Sequence, residues 1–359
     1  MARVQTISPI QIVTNYERPV LDPGMAGVML LVAGNAETFQ SYTSIQSVIN
    51  DYQPGTAVYD QADAYFGNAN SPLFQVLTYK QGDTTSLTNQ ITKYYYAGAQ
   101  YFLFHSVVDT LSGSDVTNVQ TAVSTISNFV EQQDNKEVVF DFAYSDESKL
   151  ADFVKATNIA GNKATFVVAK PLVNGKDEYF GAHFLADYAN AKLGKSATFV
   201  NQLNGVTPQD KYEFGVSDVE KYFKPNHIAT YAYRAGTPML TSGVTQSGDQ
   251  LQAIVIRDAI TKRVSASLNN LFLQNDGRIT YDDAGISLFN STIYAELKDF
   301  ADKDYIDPNF TIAAVKASDV SDSKKASGVL TGMSYKYRPV NTIDSATLSQ
   351  TVVLPQVEG

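Results

Sequence analysis

The strongest constraint on the fold of this chain is a regular alternation of apolar strands with amphipathic helices. Runs such as GVMLLVAG, YFLFHSVV and ATFVVAK are predicted strands, and segments with a helical apolar period separate them. Strands that are apolar on both faces are typical of a parallel sheet covered by helices. Residues 23–245 are therefore predicted to form an α/β body built on a mostly parallel sheet.

Several helices of this body can be placed from their caps and apolar spacing. YTSIQSVINDY, residues 42–52, is a predicted helix, and so is FGAHFLADYANAKLG, residues 180–194. Ser145 or Asp146 is the predicted N-cap of the helix in SDESKLADFVKAT. A further helix is predicted from apolar residues that share one face, namely Val58, Ala62, Tyr65 and Phe66.

The last third of the chain has a different pattern, in which two long helices precede short strands. Apolar residues recur at helical spacing over about residues 251–273, and a second helix is predicted after an N-cap at Asp282 or Asp283. FTIAAVK and MSYKYRP are the predicted strands. Residues 246–340 are therefore predicted to form a C-terminal α+β core domain, so that the whole chain is a mixed α/β and α+β protein.

Both ends of the chain have strand patterns outside these two units. Apolar and Ser/Thr residues alternate, with two exceptions, from 345 to 354, as in a half-buried strand. The N-terminal RVQTISPIQIVT is β-branched, but Pro9 cannot donate a ladder hydrogen bond, which favours an edge strand. We predict that residues 1–22 and 341–359 are β arms that pair with other chains. The residues predicted to carry this pairing are Val4, Ile7, Ile10, Ile12, Leu348, Val352 and Leu354.

Composition argues against several classes of function. The formal net charge is −10 and Lys and Arg are not clustered, which argues against direct nucleic-acid binding. Cysteine is absent, which excludes disulfides and thiolate metal sites. The longest apolar run, residues 26–34, is about half of the roughly 20 residues that a membrane-spanning helix needs, and no leader pattern opens the chain. We therefore expect no membrane insertion and a cytoplasmic location.

The sequence has no recognisable catalytic equipment. The motifs GxSxG, GxxxxGK[ST] and GxGxxG do not occur, and His105, His183 and His227 lack the spacing of metal ligands. DKDYID lacks the glycine and the bidentate glutamate of a calcium loop. We therefore predict no catalytic residue, no cofactor and no metal. An open alternative is an enzyme on a doubly wound sheet, with Asp141 at a strand end as general base.

Three stretches together resemble one family over nearly the whole chain. They are YTSIQSVINDYQPGTAVYDQADAYFGNANSPLFQVLTY, FVNQLNGVTPQD, and the block from IVIRDAI through GRITYDDAGISLFNSTIYAELKDFADKDYIDP. Their order and spacing resemble the contractile-tail sheath proteins of bacteriophages and related injection machines, in the small form without large decorating domains. The last segment, MSYKYRPVNTIDSATLSQTVVL, is only loosely similar to that family.

The resemblance implies a structural subunit rather than an enzyme. Such a subunit would polymerise with itself into hexameric rings, stacked helically around a tail tube, and would add its terminal strands to neighbouring subunits. Contraction would drive the tube through the host envelope during genome ejection. Further implied partners are the baseplate and tail terminator proteins. The implied location is the tail of a virion that is assembled in the cytoplasm of a host bacterium.

A tube-facing surface is predicted on the helix over residues 251–273. Arg257, Lys262 and Arg263 lie off its apolar stripe and form a basic face in an acidic protein, although such a face can also be simply solvated. Other virion structural subunits remain an alternative to the sheath. A tail-tube protein is disfavoured because such proteins are usually shorter and richer in strands.

Overall fold

A twisted sheet of parallel strands forms the centre of the first two-thirds of the chain. The computed structural model describes residues 26–68, 73–133, 135–200, 202–210, 218–234 and 236–343. Within them the sheet has seven strands in the order β2-β3-β1-β4-β5-β6-β7. Only β2 is antiparallel to its neighbour. The strands are β1 (Val28–Gly34), β2 (Thr38–Tyr42), β3 (Phe74–Lys80), β4 (Tyr101–Val107), β5 (Glu137–Tyr144), β6 (Thr165–Pro171) and β7 (Ile228–Ala229).

Helices cover both faces of this sheet, which explains why its strands are continuously apolar. The helices are α1 (Ile45–Val48), α2 (Ala57–Asn68), α3 (Thr84–Tyr94), α4 (Ser114–Gln133), α5 (Glu147–Ala156) and α6 (Phe180–Tyr188). In β1, Val28 and Leu30 face the hydrophobic cluster of α2 and α6. Met29 and Leu31 face the opposite cluster, which α3, α4 and α5 complete. Successive side chains of a strand point to opposite faces, so both sets are buried.

Two long helices and a small sheet follow the body. The remaining elements are β8 (Tyr231–Arg234), β9 (Thr237–Leu240), α7 (Leu251–Gln274), α8 (Asp283–Asp302), β10 (Thr311–Ala313), α9 (Asp322–Ala326) and β11 (Ser334–Lys336). The first turns of α7 pack on the body through Leu251 and Val255. From Ile256 onward, α7 shares a third hydrophobic cluster with α8 and the β10–β11 pair. The predicted domain limits at residues 22, 245 and 340 stay predictions.

The observed elements confirm the predicted fold class and most of the predicted helices. Asp146 caps α5, because its carboxylate accepts hydrogen bonds from the backbone N–H groups of Ser148 and Lys149. Asp282 caps α8 by accepting from the N–H of Gly285 at 2.7 Å. None of the helices within the described residues has both the length and the apolarity of a membrane crossing. The predicted β arms lie outside the described residues, apart from residues 341–343.

Two predictions about elements are wrong, and one helix was not predicted. The helix over residues 42–52 is a single turn, α1, because Tyr42 instead ends β2, where it pairs with Phe74. The helix over residues 180–194 ends at Tyr188, where the Asn190 amide donates to the carbonyl of Ala186 at 2.7 Å. The helix α3, which begins at an Asp83 cap and carries mostly polar residues, is not among the predicted helices.

Candidate functional site

An apolar groove opens between the two long helices and the segment before β11. Its volume is about 550 Å³. Phe272 of α7 stacks edge-on against Phe289 of α8, with ring centroids 5.4 Å apart. Phe272 and Val329 remain 45% and 46% exposed, so the groove presents apolar surface to solvent. The groove is lined by Val264, Leu268, Phe272, Ile279, Tyr281, Ile286, Phe289, Ile293, Val329, Leu330, Met333 and Tyr335, with four Gly and Thr residues.

A tight connection between α7 and α8 closes one end of the groove. Asp276 and Gly277 have φ angles of 49° and 68°, a left-handed conformation that Gly and Asp tolerate better than most residues. The N–H of Gly277 donates to the carbonyl of Phe272 at 2.9 Å and so finishes α7. The chain therefore reverses in a few residues, which places the apolar ends of both helices side by side.

Beside the groove lies the small sheet of β10 and β11. Three residue pairs join these strands, and within the described part of the chain the two strands pair only with each other. Ile312 and Tyr335 are half-buried against the third hydrophobic cluster, while their neighbours along the strands are exposed. A sheet of two short strands is marginally stable alone, and its outer edges can accept further strands.

The predicted arm residues cannot be placed by this structure. Val4, Ile7, Ile10, Ile12, Leu348, Val352 and Leu354 all lie outside the described residues, so their pairing stays a prediction. The last described residues run along α7, where the Gln252 amide donates to the Thr342 hydroxyl at 2.8 Å. Ile343 is 81% exposed at the point where the C-terminal arm begins.

The three basic residues predicted to face a tube have interactions within their own chain. The Arg257 guanidinium lies 2.6 Å from the carboxylate of Asp258, and the Lys262 ammonium donates to the side-chain oxygen of Gln100. The Arg263 guanidinium contacts the carboxylates of Glu296 and Asp299 at 3.0 and 2.9 Å and lies over the ring of Phe300. Much of the basic charge of α7 is thus balanced internally, and its tube-facing role stays a prediction.

Asp141, the residue named for the enzyme alternative, belongs to a buried ion pair. His105 Nδ1 lies 2.9 Å from Asp141 and His105 Nε2 lies 2.6 Å from Asp177. Burial opposes the charge of His105, but the two carboxylates outweigh it and raise the pKa to about 10. Both ring nitrogens are therefore occupied, and Asp141 is only 2% exposed. The contact of His105 with Asp177 was not predicted from the sequence, because Asp177 lies in a loop 36 residues beyond Asp141.

A cavity of about 230 Å³ lies at the carboxyl ends of β1 and β4, where the order of the strands reverses. Ligands of doubly wound sheets bind at this position. Most residues that line the cavity are apolar, and the polar ones include the amides Gln61, Gln81 and Asn118 and the imidazole of His105. No Lys, Arg, Asp or Glu is among these lining residues. Among the residues described, no group of three potential ligands could hold a metal ion.

Comparisons with known proteins identify the fold. No protein-family model and no curated protein matches the sequence. A chain in the baseplate of the anti-feeding prophage matches with a TM-score of 0.69 at 13% identity, over 98% of this chain and 100% of its own. A chain of the same baseplate in the contracted state matches with a TM-score of 0.59 at 9% identity, over 97% of both chains.

A sheath tail protein from Listeria innocua matches with a TM-score of 0.53 at 12% identity, over 80% of this chain and 88% of its own. The predicted resemblance is therefore confirmed for the fold. The protein has the fold of contractile-tail sheath proteins and of related chains in contractile baseplates.

Proposed function

We propose that this chain is the structural subunit of a contractile tail sheath, which polymerises by exchanging terminal β strands with neighbouring copies. The observation that carries the proposal is the apolar groove beside the β10–β11 sheet. The groove offers a place for alternate apolar side chains, and the open sheet edges offer backbone hydrogen bonds. These are the two requirements of strand addition.

The length of the arms is compatible with exchange between subunits. An extended segment covers at most about 3.6 Å per residue, so residues 341–357 would reach about 60 Å. This exceeds the diameter of about 50 Å that chain-length scaling gives for a compact chain of 359 residues. An arm that starts at exposed Ile343 can therefore reach the groove of a neighbouring copy.

The energetics favour a collective lattice over isolated pairs. Ordering an arm costs about 1–2 kcal/mol per residue, whereas each ladder hydrogen bond returns about 0.5–1.5 kcal/mol and each buried Leu or Val about 1.5–3 kcal/mol. One arm alone is therefore marginal. When several arms link the same subunits, the later contacts become effectively intramolecular and the lattice is stable.

We also propose for this chain the assembly and the partners that the sequence resemblance implies. Hexameric rings would stack around a tail tube, α7 would face that tube, and baseplate and terminator proteins would close the two ends. Arm-linked subunits would rotate as rigid bodies during contraction and drive the tube through the host envelope. The particle would be assembled in the bacterial cytoplasm and would carry the protein in its tail.

A second candidate is a baseplate subunit that shares the sheath fold. The two baseplate structures of the anti-feeding prophage, which match over nearly the whole chain, favour this candidate. A baseplate subunit would form rings of limited size, whereas a sheath subunit would form long tubes. The size of the assembly therefore separates the two candidates.

The groove can be tested with an arm supplied in trans. A labelled peptide of residues 341–357 should bind a subunit truncated after residue 343, measured by fluorescence anisotropy. Phe272→Ser should weaken binding by at least tenfold, because burial of a Phe side chain contributes about 1.5–3 kcal/mol. Ile49→Ser is the matched control, since Ile49 is 41% exposed and lies outside the groove. Equal binding by both variants would contradict strand exchange at this groove.

A further inference from the structure

Two neighbouring cavities lie at the carboxyl ends of the central strands. The first, of about 230 Å³, is the cavity at the ends of β1 and β4, and the second, of about 260 Å³, lies between α4 and the start of α3. Tyr79, Gly82 and Asn118 line both of them, so the two cavities adjoin and make one cleft. Together they reach the range of about 300–1,000 Å³ that is usual for small-molecule sites.

Tyr79, which lies near the end of β3, brings a buried hydroxyl group to this cleft. Its side chain is only 3% exposed and packs in the hydrophobic cluster of α3 and α4. The hydroxyl makes no hydrogen bond within the described part of the chain. A buried polar group without a partner destabilises the folded state, so such groups are rare and require an explanation. A ligand in the cleft would supply the missing partner.

A second uncommitted polar group lies beside Tyr79. Asn118 of α4 is half-buried and lines both cavities, and its carboxamide makes no hydrogen bond to any described residue. A tyrosine hydroxyl and a carboxamide can each donate and accept hydrogen bonds. Most of the residues that line the first cavity are apolar, among them Val32 and Phe104. The cleft therefore combines an apolar wall with two groups that can both donate and accept.

The charged groups of the cleft already have partners. The Asp83 carboxylate accepts from two backbone N–H groups of α3 at 2.9 and 3.0 Å. His105 has both ring nitrogens in its ion pair with Asp141 and Asp177. No Lys or Arg is among the described residues that line either cavity. An anionic ligand would thus meet a carboxylate and find no available cation.

We propose that this cleft binds a small uncharged molecule with a carboxamide group and an apolar body. The ligand oxygen would accept from the Tyr79 hydroxyl, and its NH₂ group would donate to the side-chain oxygen of Asn118. Its apolar body would lie in the first cavity, against Val32 and Phe104. A carboxylate of the same shape has no N–H to donate and would be repelled by Asp83, so the site would discriminate against it. The site does not depend on the proposed sheath function.

Saturation-transfer NMR of the full chain with benzamide and with benzoate tests the class of ligand. The two molecules have the same shape and differ only in the NH₂ group and the charge. Benzamide should bind with a dissociation constant of about 1 mM, which is reasonable for so small a molecule. Benzoate should bind at least about tenfold more weakly, because it leaves the Asn118 oxygen without a donor. Absence of benzamide binding, or equal binding of the two molecules, would overturn the inference.

Two Tyr→Phe variants test where the molecule binds. Tyr79→Phe removes a hydroxyl that has no described partner, so the urea midpoint should stay unchanged while benzamide binding weakens about fivefold. Tyr42→Phe is the matched control, because the buried Tyr42 donates to Asp51 at 2.8 Å and lines neither cavity. It should lower the midpoint and leave binding unchanged. Equal benzamide binding by the two variants would mean that the molecule binds elsewhere and would contradict the site.

Asn118→Leu gives an independent test that leaves Tyr79 in place. Asn118 is half-buried on α4 and makes no hydrogen bond to the described residues, so its replacement should not unfold the protein. Benzamide binding should weaken by about fivefold or more, because the acceptor for its NH₂ group is gone. Unchanged binding in a folded Asn118→Leu would refute the proposed contact.

Discussion

His105 carries a positive charge inside the protein because two carboxylates face its two ring nitrogens. The backbone at Tyr179 and Gly181, next to this ion pair, has two unusual features. Tyr179, whose ring lies edge-on to His105 at 5.2 Å, has a φ of 47°, which is unusual for a bulky residue. A Cβ atom on Gly181 would lie 2.5 Å from the Cβ of Asp141, so only glycine fits there. The first turn of α6 therefore packs directly against Asp141 of the ion pair.

We predict that His105→Gln destabilises the protein by about 3–5 kcal/mol near pH 6, because it leaves the buried carboxylate of Asp141 and the half-buried carboxylate of Asp177 without their cation. The loss should shrink at alkaline pH. The folded pKa of His105 is raised from 6.5 to about 10, so its stabilisation is fully present below 6.5 and is lost as the pH rises through about 10. Urea unfolding at about pH 6 and about pH 10 measures the difference. A loss of the same size at both pH values would contradict a charged His105.

At the scale of residues, the sequence predicts which side chains could have a chemical role but not which side chains they contact. The prediction that Asp141 lies at a strand end is wrong, because it lies inside β5, and its contact with His105 depends on the register in which β4 and β5 pair. The pattern of apolar residues fixes the face of each strand and leaves this register open. Asp177 was beyond prediction, because it comes from a loop that joins the pair only in the folded chain.

At the scale of elements, α7 shows that the period of apolar residues predicts where a helix lies but not what its polar residues contact. Its bounds were predicted within one residue at the C-terminal end. The environment of Lys262 was not predicted, because Lys262 was expected on a tube-facing or solvated face and instead donates to Gln100 at the edge of the sheet. A charged residue has the same appearance in the sequence whether its partner is water or a carboxylate far along the chain. The predicted tube-facing surface depends on this distinction.

If α7 faces the tube, Arg263→Gln should reduce cosedimentation of the assembled protein with its tube. Lys298→Gln is a matched control, since it also removes one ion-paired cation but lies on α8. The Arg263 side chain is 26% exposed, so its charge can still act on a partner. We expect a severalfold loss for Arg263→Gln and little change for Lys298→Gln, with thermal unfolding to establish that both fold. An equal effect of the two variants would reject α7 as the tube-facing element.

At the scale of the whole molecule, the alternation of strands and helices was enough to predict the layered body. The order of the strands in the sheet was not predicted from the sequence. The antiparallel β2 lies beside β3 and not beside β1, which precedes it in the chain. The third hydrophobic cluster and the groove depend on how α7, α8 and the β10–β11 pair meet. Such packing between distant segments is not encoded in a local pattern. The fold class therefore follows from the sequence, and the groove follows only from the structure.

Electron microscopy of the purified chain, alone and mixed with a candidate tail tube protein, tests the central claim most directly. We expect long, striated, hollow tubes from the full chain and their loss when residues 1–20 are deleted, since each subunit would lack one arm. Circular dichroism should show that the shortened chain still folds. Rings that never extend would favour a baseplate subunit. Monodisperse particles from the full chain under every condition would contradict the sheath function.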